Sequence, residues 1–580
     1  TAHDVDIVGI NRRGFLQSRI GQVPYLNGGL FEQDAFDASA DITVPDSVFV
    51  PIIDELFYRY NFTVTESTPF DVEVAVDPEM LGRIFEKLVT GRHSSGSYYT
   101  PKPVVSYMAN EALACYLKAM CSYEDDSAIT DLISSHDPGG IRDPERVLQA
   151  LRQVTICDPA CGSGAYLLGM LHQLFELREC LFATRGLDAT SAYERKLEII
   201  ESNLYGVDKD PFAVNIARLR LWLSLIIEFE GDQPPPLPNL DLKIEIGDSL
   251  SAPDPSEGLQ PDLIRHQQIE RYRELKADYL NTHGSEKRTL RQRVDALKQE
   301  ISDWARGDAN VDGFDWAVEF AEVMERGGFD LVITNPPYVR QELQEPSLKA
   351  ALQARYKQLH PGSPDLYVYF IYRGLQLLRV RGVLCYIVPN KWMRAKYGQR
   401  LRANLRSQTM IGTIVDFGDL PVFTATAYPC ILLLQLQAPP QEHVFQALTV
   451  PDMAAVERLP EYVPKAAWRQ SQASLADAGV VLARASERDL LRRLRAVGVP
   501  LGEYVKGQFF YGIKTGLNRA FVIDEATRSR LIAEDPRSAG LIRPWLRGKD
   551  VKRWQVNWAG LYVIAVQNSG DGDAQNPWQT

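Results

Sequence analysis

Between residues 150 and 440 the chain alternates short apolar runs with longer amphipathic segments, and this alternation constrains the fold more than any other feature. Short apolar runs without alternating polar residues are typical of strands that are buried on both faces. Because helical patterns separate these runs, their order predicts an α/β fold with a doubly wound parallel sheet and helices on both faces. The predicted strands are Val154–Cys157, Leu204–Val207, Leu242–Ile246, Phe329–Thr334, Val383–Val388, Ile411–Phe417 and Cys430–Gln437, and the last two are expected to pair antiparallel.

Helical patterns fill the segments between these strands and precede the first one. One helix is predicted to start at Asp77 and another after Pro101, since Asp and Pro are favoured at helix starts. The charged segment 260–305 is broken at His283-Gly284 and predicts an inserted helical hairpin whose charges form a solvated face. The residues Val44–Ile53 are expected to be extended. The remaining predicted helices are Ala165–Cys180, Pro211–Ile227, Leu366–Leu378 and Arg400–Ser407.

The length of 580 residues predicts several domains. We expect a mixed and helical region at 1–95, a catalytic domain at 96–440 with a helical insert at about 255–325, and a linker with the start of a truncated further domain at 441–580. The first residue is not Met, which suits a fragment or a processed product. Seven cysteines without a CxxC pair favour a reducing compartment and argue against structural zinc, and no apolar run is long enough to cross a bilayer. With a net charge of −12, any polyanionic partner would have to meet a local basic face.

Three polar motifs follow the first three predicted strands. Gly162 and Gly164, in the turn that begins at Asp158, would let the backbone approach a ligand closely, although the turn could also be purely structural. Asp208 suits the two hydroxyls of a ribose; alternatively it could cap the next helix, for which Asp210 is better placed. Asp248 could accept a hydrogen bond from an adenine amino group, or it could form an ordinary Asx turn.

The strongest motif is Asn335-Pro336-Pro337-Tyr338, directly after the strand Phe329–Thr334. Its two prolines stiffen the backbone and remove two N–H donors. The loop therefore offers acceptors, the Asn335 side-chain oxygen and the Pro336 carbonyl, which suit the two hydrogens of an exocyclic NH₂ group. Tyr338 offers a flat face on which a base could stack.

Together these motifs resemble those of S-adenosylmethionine-dependent adenine-N6 DNA methyltransferases of the gamma class, in which an element similar to Gly96–Pro101 comes first. Two N-terminal segments, Leu26–Glu32 and Leu81–Leu88, resemble the helical part that precedes catalysis in type IIG restriction–modification enzymes. Gly512–Asn518 and Leu541–Trp554 resemble a TaqI-like specificity domain. The resemblance implies a Rossmann-like methyltransferase sheet, an N-terminal helical region and a C-terminal target-recognition domain that is truncated here. It also implies double-stranded DNA as partner and the bacterial or archaeal cytoplasm as location.

The resemblance also assigns roles to individual residues. Asn335 and Pro336, with Pro337 and Tyr338, would hold and stack the flipped-out target adenine, and no metal would be required. Phe423 lies where the family places a second aromatic ring, although Phe417 is close in sequence. The cofactor S-adenosylmethionine would be bound by Thr100, Asp158, Pro159, Ala160, Cys161, Gly162, Gly164, Asp208 and Asp248.

Basic residues cluster in two places and predict contacts with DNA phosphates. Nine Arg or Lys and no acidic residue lie between Arg373 and Arg406, and a second cluster lies within Leu541–Trp554. Either cluster could instead be a solvated basic face. The candidate DNA-binding residues are Lys391, Arg394, Lys396, Lys514, Asn518, Arg543, Arg547 and Lys549.

The sequence therefore predicts a site-specific adenine-N6 DNA methyltransferase of a restriction–modification or phage-defence system. Endonuclease activity is not predicted for this chain, because Glu274-Leu275-Lys276 fits a helix surface better than a nuclease site. A nuclease domain or subunit outside the chain would be compatible with this prediction, but the sequence does not indicate whether one exists. Two alternatives stay open: a methyltransferase for a protein glutamine or an RNA base, and a DNA-binding specificity subunit without catalysis.

Overall fold

The computed structural model describes residues 45–51, 54–55, 100–183, 190–229, 238–255, 263–282, 285–306, 314–359, 364–423, 428–475, 479–507 and 518–565. The chain divides into two compact units, residues 1–488 and residues 489–580. The helix predicted to start at Asp77 lies outside the described residues, as do the motifs Leu26–Glu32, Leu81–Leu88 and the Gly96–Tyr99 part of the front element.

The first unit is built on a nine-stranded sheet in the order β3-β2-β1-β4-β5-β7-β6-β8-β9. The first five strands pair in parallel, and β7 pairs antiparallel with both β5 and β6. This arrangement confirms the predicted parallel sheet and the antiparallel pair that follows it. The strands are β1 (Ile156–Asp158), β2 (Leu204–Asp208), β3 (Ile244–Ile246), β4 (Phe329–Thr334), β5 (Leu378–Pro389), β6 (Met410–Asp416), β7 (Pro429–Gln435), β8 (Val444–Thr449) and β9 (Trp468–Ser471).

Helices connect the strands of this sheet and pack on both of its faces. The helices of the first unit are α1 (Asp46–Pro51), α2 (Lys102–Met120), α3 (Asp126–Ser135), α4 (Pro144–Gln153), α5 (Ala165–Ala183), α6 (Ala192–Asn203), α7 (Pro211–Ile226), α8 (Leu263–Asn281), α9 (Ser285–Arg306), α10 (Trp316–Glu319), α11 (Ala321–Met324), α12 (Pro346–Arg355), α13 (Leu366–Leu377), α14 (Gln399–Gln408), α15 (Met453–Glu457) and α16 (Leu459–Ala466). Short 3₁₀ turns interrupt several of the loops between them.

Two hydrophobic cores lie on opposite faces of the central strands. Alternate residues of a strand point to opposite faces, so Leu331 and Ile333 of β4 enter one core while Val332 enters the other. Phe329 also enters the second core, because the register of β4 shifts between Phe329 and Leu331. All six residues of β4 are buried. Burial on both faces explains why these strands appear in the sequence as continuous apolar runs.

The predicted helical hairpin is confirmed as α8 and α9, inserted between β3 and β4. Its charges are only partly a solvated face. Lys276 is almost fully buried and pairs with Glu322 at 3.0 Å, and Arg291 pairs with Asp241 of the sheet domain at 2.5 Å. Apolar residues such as Tyr272 form a third, smaller core against the sheet domain. These contacts hold the insert on the β3 side of the sheet.

The structure differs from the sequence prediction at two places. Val44–Ile53 was expected to be extended, but Asp46–Pro51 forms a short helix. Its β-branched residues favour a strand only where a neighbouring strand packs on them, and Val48 and Val50 are about half exposed. The sheet also continues beyond residue 440, because β8 pairs in parallel with β6 and β9 pairs with β8.

The second unit is small and contains two separate sheets. Three strands pair antiparallel in the order β10-β14-β11, and β12 forms a two-stranded hairpin with β13. Among the described residues of the whole chain, no helix is long and apolar enough to cross a membrane. The elements are α17 (Ala485–Val497, which spans the division), α18 (Leu501–Tyr504), α19 (Asn518–Phe521), β10 (Val522–Asp524), α20 (Glu525–Glu534), β11 (Ile542–Trp545), β12 (Val551–Lys552), β13 (Gln555–Val556) and β14 (Leu561–Ile564).

Candidate functional site

The polar motifs meet at the carboxyl edge of the sheet, where the strand order reverses. From β1 the chain builds outward through β2 to β3, and it then returns to β4 on the other side of β1. Ligands of doubly wound folds bind in the crevice at such a switch point. Asp158 ends β1, Asp208 ends β2, Asp248 follows β3 and Asn335 follows β4, so the topology places all four on one edge.

The turn after β1 depends on two glycines with left-handed backbone conformations. Gly162 has φ of 51° and Gly164 has φ of 82°. A Cβ on Gly162 would meet no atom within 4 Å, whereas a Cβ on Gly164 would lie 3.0 Å from Ala217 Cβ on α7. Gly162 therefore keeps space open beside the cavity, and Gly164 lets the turn pack closely on a helix.

We expect Gly164→Ala to destabilise the protein more than Gly162→Ala. Both variants force an alanine into the left-handed region, at a cost of about 1–2 kcal/mol. Only Gly164→Ala adds an overlap with α7, and overpacking typically costs about 1–3 kcal/mol. Urea unfolding of the two variants checks this order; equal destabilisation would contradict the close contact between Gly164 and Ala217.

Asp158 is buried at the base of this turn. Its Oδ1 accepts a hydrogen bond from the Ala160 backbone N–H at 3.1 Å, while no described residue donates to Oδ2 with normal geometry. Burial raises the pKa of Asp158 to about 7, although the hydroxyl of Thr334 and the N–H of Ala160 oppose this shift. A buried carboxylate oxygen that lacks a donor is costly in the isolated protein and suits a polar or cationic ligand.

This burial predicts that Asp158→Asn stabilises the ligand-free protein in alkaline but not in acidic solution. A pKa raised from 3.8 to about 7 means that the folded state favours the neutral carboxyl. The wild-type protein then loses stability as the pH rises from about 4 to about 7, by up to about 4 kcal/mol. Thermal unfolding of both proteins at pH 5 and pH 8 measures the effect. If the difference in unfolding temperature between the two proteins were the same at both pH values, the raised pKa of Asp158 would be contradicted.

The two acidic residues after β2, Asp208 and Asp210, accept hydrogen bonds from different parts of the chain. Asp208 accepts hydrogen bonds from the N–H groups of Gly162 and Asp210, both at 2.9 Å, and burial raises its pKa. Asp210 caps α7 by accepting from Phe212 N–H at 3.0 Å, which confirms the cap predicted from the sequence. Asp208 thus links the first and second motifs at the cavity wall.

Asp248 forms the Asx turn that the sequence left open as an alternative. Its Oδ1 accepts from the N–H groups of Leu250 and Ser251, and its Oδ2 accepts from the Ser251 hydroxyl at 2.9 Å. Asp248 nevertheless lines the cavity. Its contact with a cofactor adenine stays a prediction.

The Asn335 loop meets the front element of the chain directly. Asn335 Nδ2 donates to the hydroxyl of Thr100 at 3.1 Å, although the two residues lie 235 positions apart. Thr100 is buried immediately before α2. The hydrogen bond turns the amide nitrogen of Asn335 toward Thr100 and its carbonyl oxygen away from it.

The two candidate stacking rings touch each other edge to face. Tyr338 and Phe423 have ring centroids 5.9 Å apart and an interplanar angle of 77°. The Tyr338 hydroxyl donates to the Ile387 carbonyl of β5 at 3.1 Å, which fixes the ring beside the loop. Because the rings are not parallel, this arrangement does not hold a base between them, and the sandwich stays a prediction.

The motifs enclose one cavity with about 950 Å³ of empty space, part of it open to solvent. Gly164, Pro336, Tyr338 and Phe423 are not part of its wall. The predicted residues that line it are Thr100, Asp158, Pro159, Ala160, Cys161, Gly162, Asp208, Asp248, Asn335 and Pro337.

The sequence analysis missed the apolar side of this cavity. Leu348 on α12 and Leu366 and Phe370 on α13 line it, together with Tyr166 on α5. In the sequence these residues are indistinguishable from ordinary helix core positions. The mixture of apolar walls and a few polar groups is typical of a cofactor site. The part of the chain that the structure describes contains no group of three metal-ligating side chains.

The basic cluster between Arg373 and Arg406 is only partly available to DNA. Arg373 is fully buried and donates to the Pro253 carbonyl at 2.8 Å, and Arg402 donates to the Ala395 carbonyl at 2.9 Å. The candidates Lys391, Arg394 and Lys396 are half-exposed or exposed, and none pairs with a described acidic residue. Contact of these three with DNA stays a prediction.

The candidate DNA-binding residues of the second unit also differ in whether their side chains are available to DNA. Arg543 and Lys549 are exposed. Arg547 forms two parallel hydrogen bonds to Asp550, one of them 2.9 Å long, so its guanidinium is already engaged. Lys514 and the side chain of Asn518 lie outside the described residues.

Two family models match the region that contains this cavity. Residues 202–423 match the model of the Eco57I restriction–modification methylase, and residues 140–233 match the DNA-methyltransferase domain of MmeI. The two matches overlap and together reach from the helix before β1 to Phe423.

Curated relatives are similar over longer stretches. A putative type II restriction enzyme and methyltransferase of Methanocaldococcus jannaschii is 25% identical over 515 residues, which cover 72% of this chain and 43% of the relative. The type II methyltransferase M.PaeR7I of Pseudomonas aeruginosa is 29% identical over 248 residues, covering 41% of this chain and 42% of the relative. The chain thus spans less than half the length of either relative.

A solved structure of the type IIL restriction–modification enzyme MmeI in complex with DNA covers 98% of this chain and 68% of that chain, with 14% identity and a TM-score of 0.49. The chain therefore contains a Rossmann-like α/β region that is similar to the methylase of Eco57I and to the DNA-methyltransferase domain of MmeI.

Proposed function

We propose that this chain is a site-specific DNA methyltransferase that transfers a methyl group from S-adenosylmethionine to adenine N6. The observation that carries the proposal is the hydrogen bond between Asn335 and Thr100 at the edge of the cavity. It joins the element expected to bind the cofactor to the loop expected to bind the target amine. A simple structural turn would not need this long-range connection.

The residues around the cavity fit the proposed cofactor. Asp208 would bind the ribose hydroxyls, Asp158 would offer its Oδ2 to a donor of the cofactor, and the apolar wall around Phe370 would cover the adenine ring. When bound, S-adenosylmethionine supplies an electrophilic methyl group on a sulfonium. The Gly162 turn leaves room for the ligand to approach the backbone closely.

The target side of the site would act through acceptors rather than through a base or a nucleophile. The Asn335 carbonyl oxygen and the Pro336 carbonyl would each accept a hydrogen bond from the N6 amino group. These two acceptors would aim the nitrogen lone pair and stabilise the positive charge that develops on N6. Cys161 is buried in the turn, and burial raises the pKa of its thiol, so it is not placed to act as a thiolate nucleophile.

An adenine inside a duplex cannot reach this loop, so the base would have to be flipped out, at a cost of a few kcal/mol. Stacking on Tyr338 would offset about 1–3 kcal/mol of that cost. Double-stranded DNA is the proposed partner, and the second unit is proposed to contribute to a TaqI-like recognition domain. The proposed setting is a restriction–modification or phage-defence system in the bacterial or archaeal cytoplasm, with any nuclease outside this chain.

The proposal is tested by incubating the chain with unmethylated plasmid and S-adenosylmethionine, followed by mass-spectrometric nucleoside analysis. N6-methyladenine is the expected product, and sequencing of the modified plasmid would then locate the site. A methylated cytosine would overturn the adenine assignment. Cofactor and DNA binding without any methylated base would favour a specificity subunit that lacks catalysis.

A further inference from the structure

A second cavity lies beside the Asn335–Tyr338 loop. It is lined by Arg340, Gln341, Glu342, Leu343, Asp365, Lys391 and Tyr397. None of these residues lines the proposed cofactor cavity.

Two neighbouring strands hold the two cations of this cavity in place. Arg340 follows β4 and Lys391 follows β5, and these strands pair in parallel up to the contact of Thr334 with Tyr386. The hydrogen bond from Tyr338 to the carbonyl of Ile387 ties the loop after β4 to the end of β5. The cations are thus positioned by the same contact that positions the stacking ring.

The buried acid of the cavity is engaged by internal donors. Asp365 Oδ1 accepts from the backbone N–H of Gln341 at 3.0 Å, and Asp365 Oδ2 accepts from the Tyr397 hydroxyl at 2.9 Å. Neither Arg340 nor Lys391 forms an ion pair with any residue that the structure describes. Both cations therefore keep their donors for a ligand, while the cavity also contains two carboxylates, the buried Asp365 with its two neutral donors and the exposed Glu342.

We infer that Arg340 and Lys391 form a clamp for a DNA phosphate close to the target adenosine. The inference rests on the proposed function, because that function supplies DNA as the substrate. A guanidinium fork matches two phosphate oxygens, and a lysine ammonium adds a point charge. Such a contact would fix the register of the strand while Tyr338 and Asn335 hold the base.

The clamp is tested by the salt dependence of DNA binding. Affinity for an unmethylated duplex is measured at several salt concentrations for the intact chain and for Arg340→Gln, Lys391→Gln and the double variant. Loss of this one phosphate contact in the double variant should make the slope of log affinity against log salt shallower by about 0.9 for B-form DNA, and each single variant should show part of that change. Glu342→Gln should increase the affinity, because it removes the opposing charge.

Arg326→Gln is the matched control. Arg326 is also exposed, but it lies before β4, at the opposite edge of the sheet from Arg340. It should leave the slope unchanged, and thermal unfolding should be similar for all variants. Unchanged slopes for both Arg340→Gln and Lys391→Gln would overturn the clamp, as would an equal effect of Arg326→Gln.

The same samples separate this inference from the proposed function. Shallower slopes without any methylated base would support the clamp and count against methyl transfer. N6-methyladenine formation with unchanged slopes would support the methyltransferase and overturn the clamp.

Discussion

Asn335→Ala should reduce kcat by at least about 10²-fold while leaving the affinity for S-adenosylmethionine nearly unchanged. The variant removes an acceptor that would stabilise developing positive charge on adenine N6, and single groups of this kind are typically worth about 10²–10³ in kcat. Asn335 lies at the edge of the cavity, where its amide donates to the hydroxyl of Thr100. Single-turnover methylation and a calorimetric cofactor titration measure the two quantities.

Asn404→Ala serves as the control for this experiment. Asn404 lies on α14, outside both cavities, and its substitution should change neither quantity. Thr100→Val provides a second comparison, because it removes the hydroxyl that orients the Asn335 amide. It should lower kcat less than Asn335→Ala does. Loss of cofactor affinity in Asn335→Ala would mean that the loop is structural and that the proposed role of the amide is wrong.

The central sheet was predictable because its signal is local. β4 is buried on both faces, and its bounds match the apolar run Phe329–Thr334 that the sequence predicts. A parallel sheet also places every strand's carboxyl end on one edge. For this reason the positions of Asp158, Asp208, Asp248 and Asn335 after apolar runs were enough to bring them together.

The parts that the sequence did not predict depend on contacts between distant residues. The sequence suggests that Arg373 is an exposed cation, but the side chain is buried and donates to the carbonyls of residues 252 and 253. The edge strands β8 and β9 follow a Pro-rich turn, from which the sequence predicts the end of a domain. They belong to the sheet because β8 pairs with β6 and β9 pairs with β8. No local pattern distinguishes Phe370 of the cavity wall from a core residue.

A cluster of basic residues in the sequence does not show which of its members can contact DNA. Nine basic residues in Arg373–Arg406 look equivalent in the sequence, yet buried carbonyls engage Arg373 and Arg402, and Asp330 pairs with Arg379. The partners, rather than the number of charges, decide which cations are available to DNA. Arg340 lies outside this cluster, and the sequence analysis did not include it among the candidate DNA-binding residues. Its position just after the Asn335–Tyr338 loop makes it a better candidate for a DNA contact than the buried members of the cluster.

Asp208→Ala should weaken the binding of S-adenosylmethionine by roughly 10- to 100-fold, the second of the two largest effects. A hydrogen bond to a charged group contributes about 1.5–3 kcal/mol, and the carboxylate is proposed to accept from the ribose hydroxyls. Asp208 also accepts from the N–H groups of Gly162 and Asp210, so its loss would loosen the glycine turn as well. Asp208→Asn keeps the side-chain volume but replaces one of the two acceptor oxygens by an amide donor, so it removes the charge together with one of these two N–H contacts.

Asp210→Ala is the matched control for that measurement, since Asp210 caps α7 two residues away and does not line the cavity. Removing this cap should cost about 1 kcal/mol of stability and leave cofactor affinity intact. Calorimetric titration measures the cofactor affinity of the three variants, and urea unfolding measures their stability. Cofactor affinity falls for the substitutions at Asp208 and is retained in Asp210→Ala, in which only stability falls. Unchanged affinity in Asp208→Ala would show that Asp208 serves only to hold the turn and that the ribose is bound elsewhere.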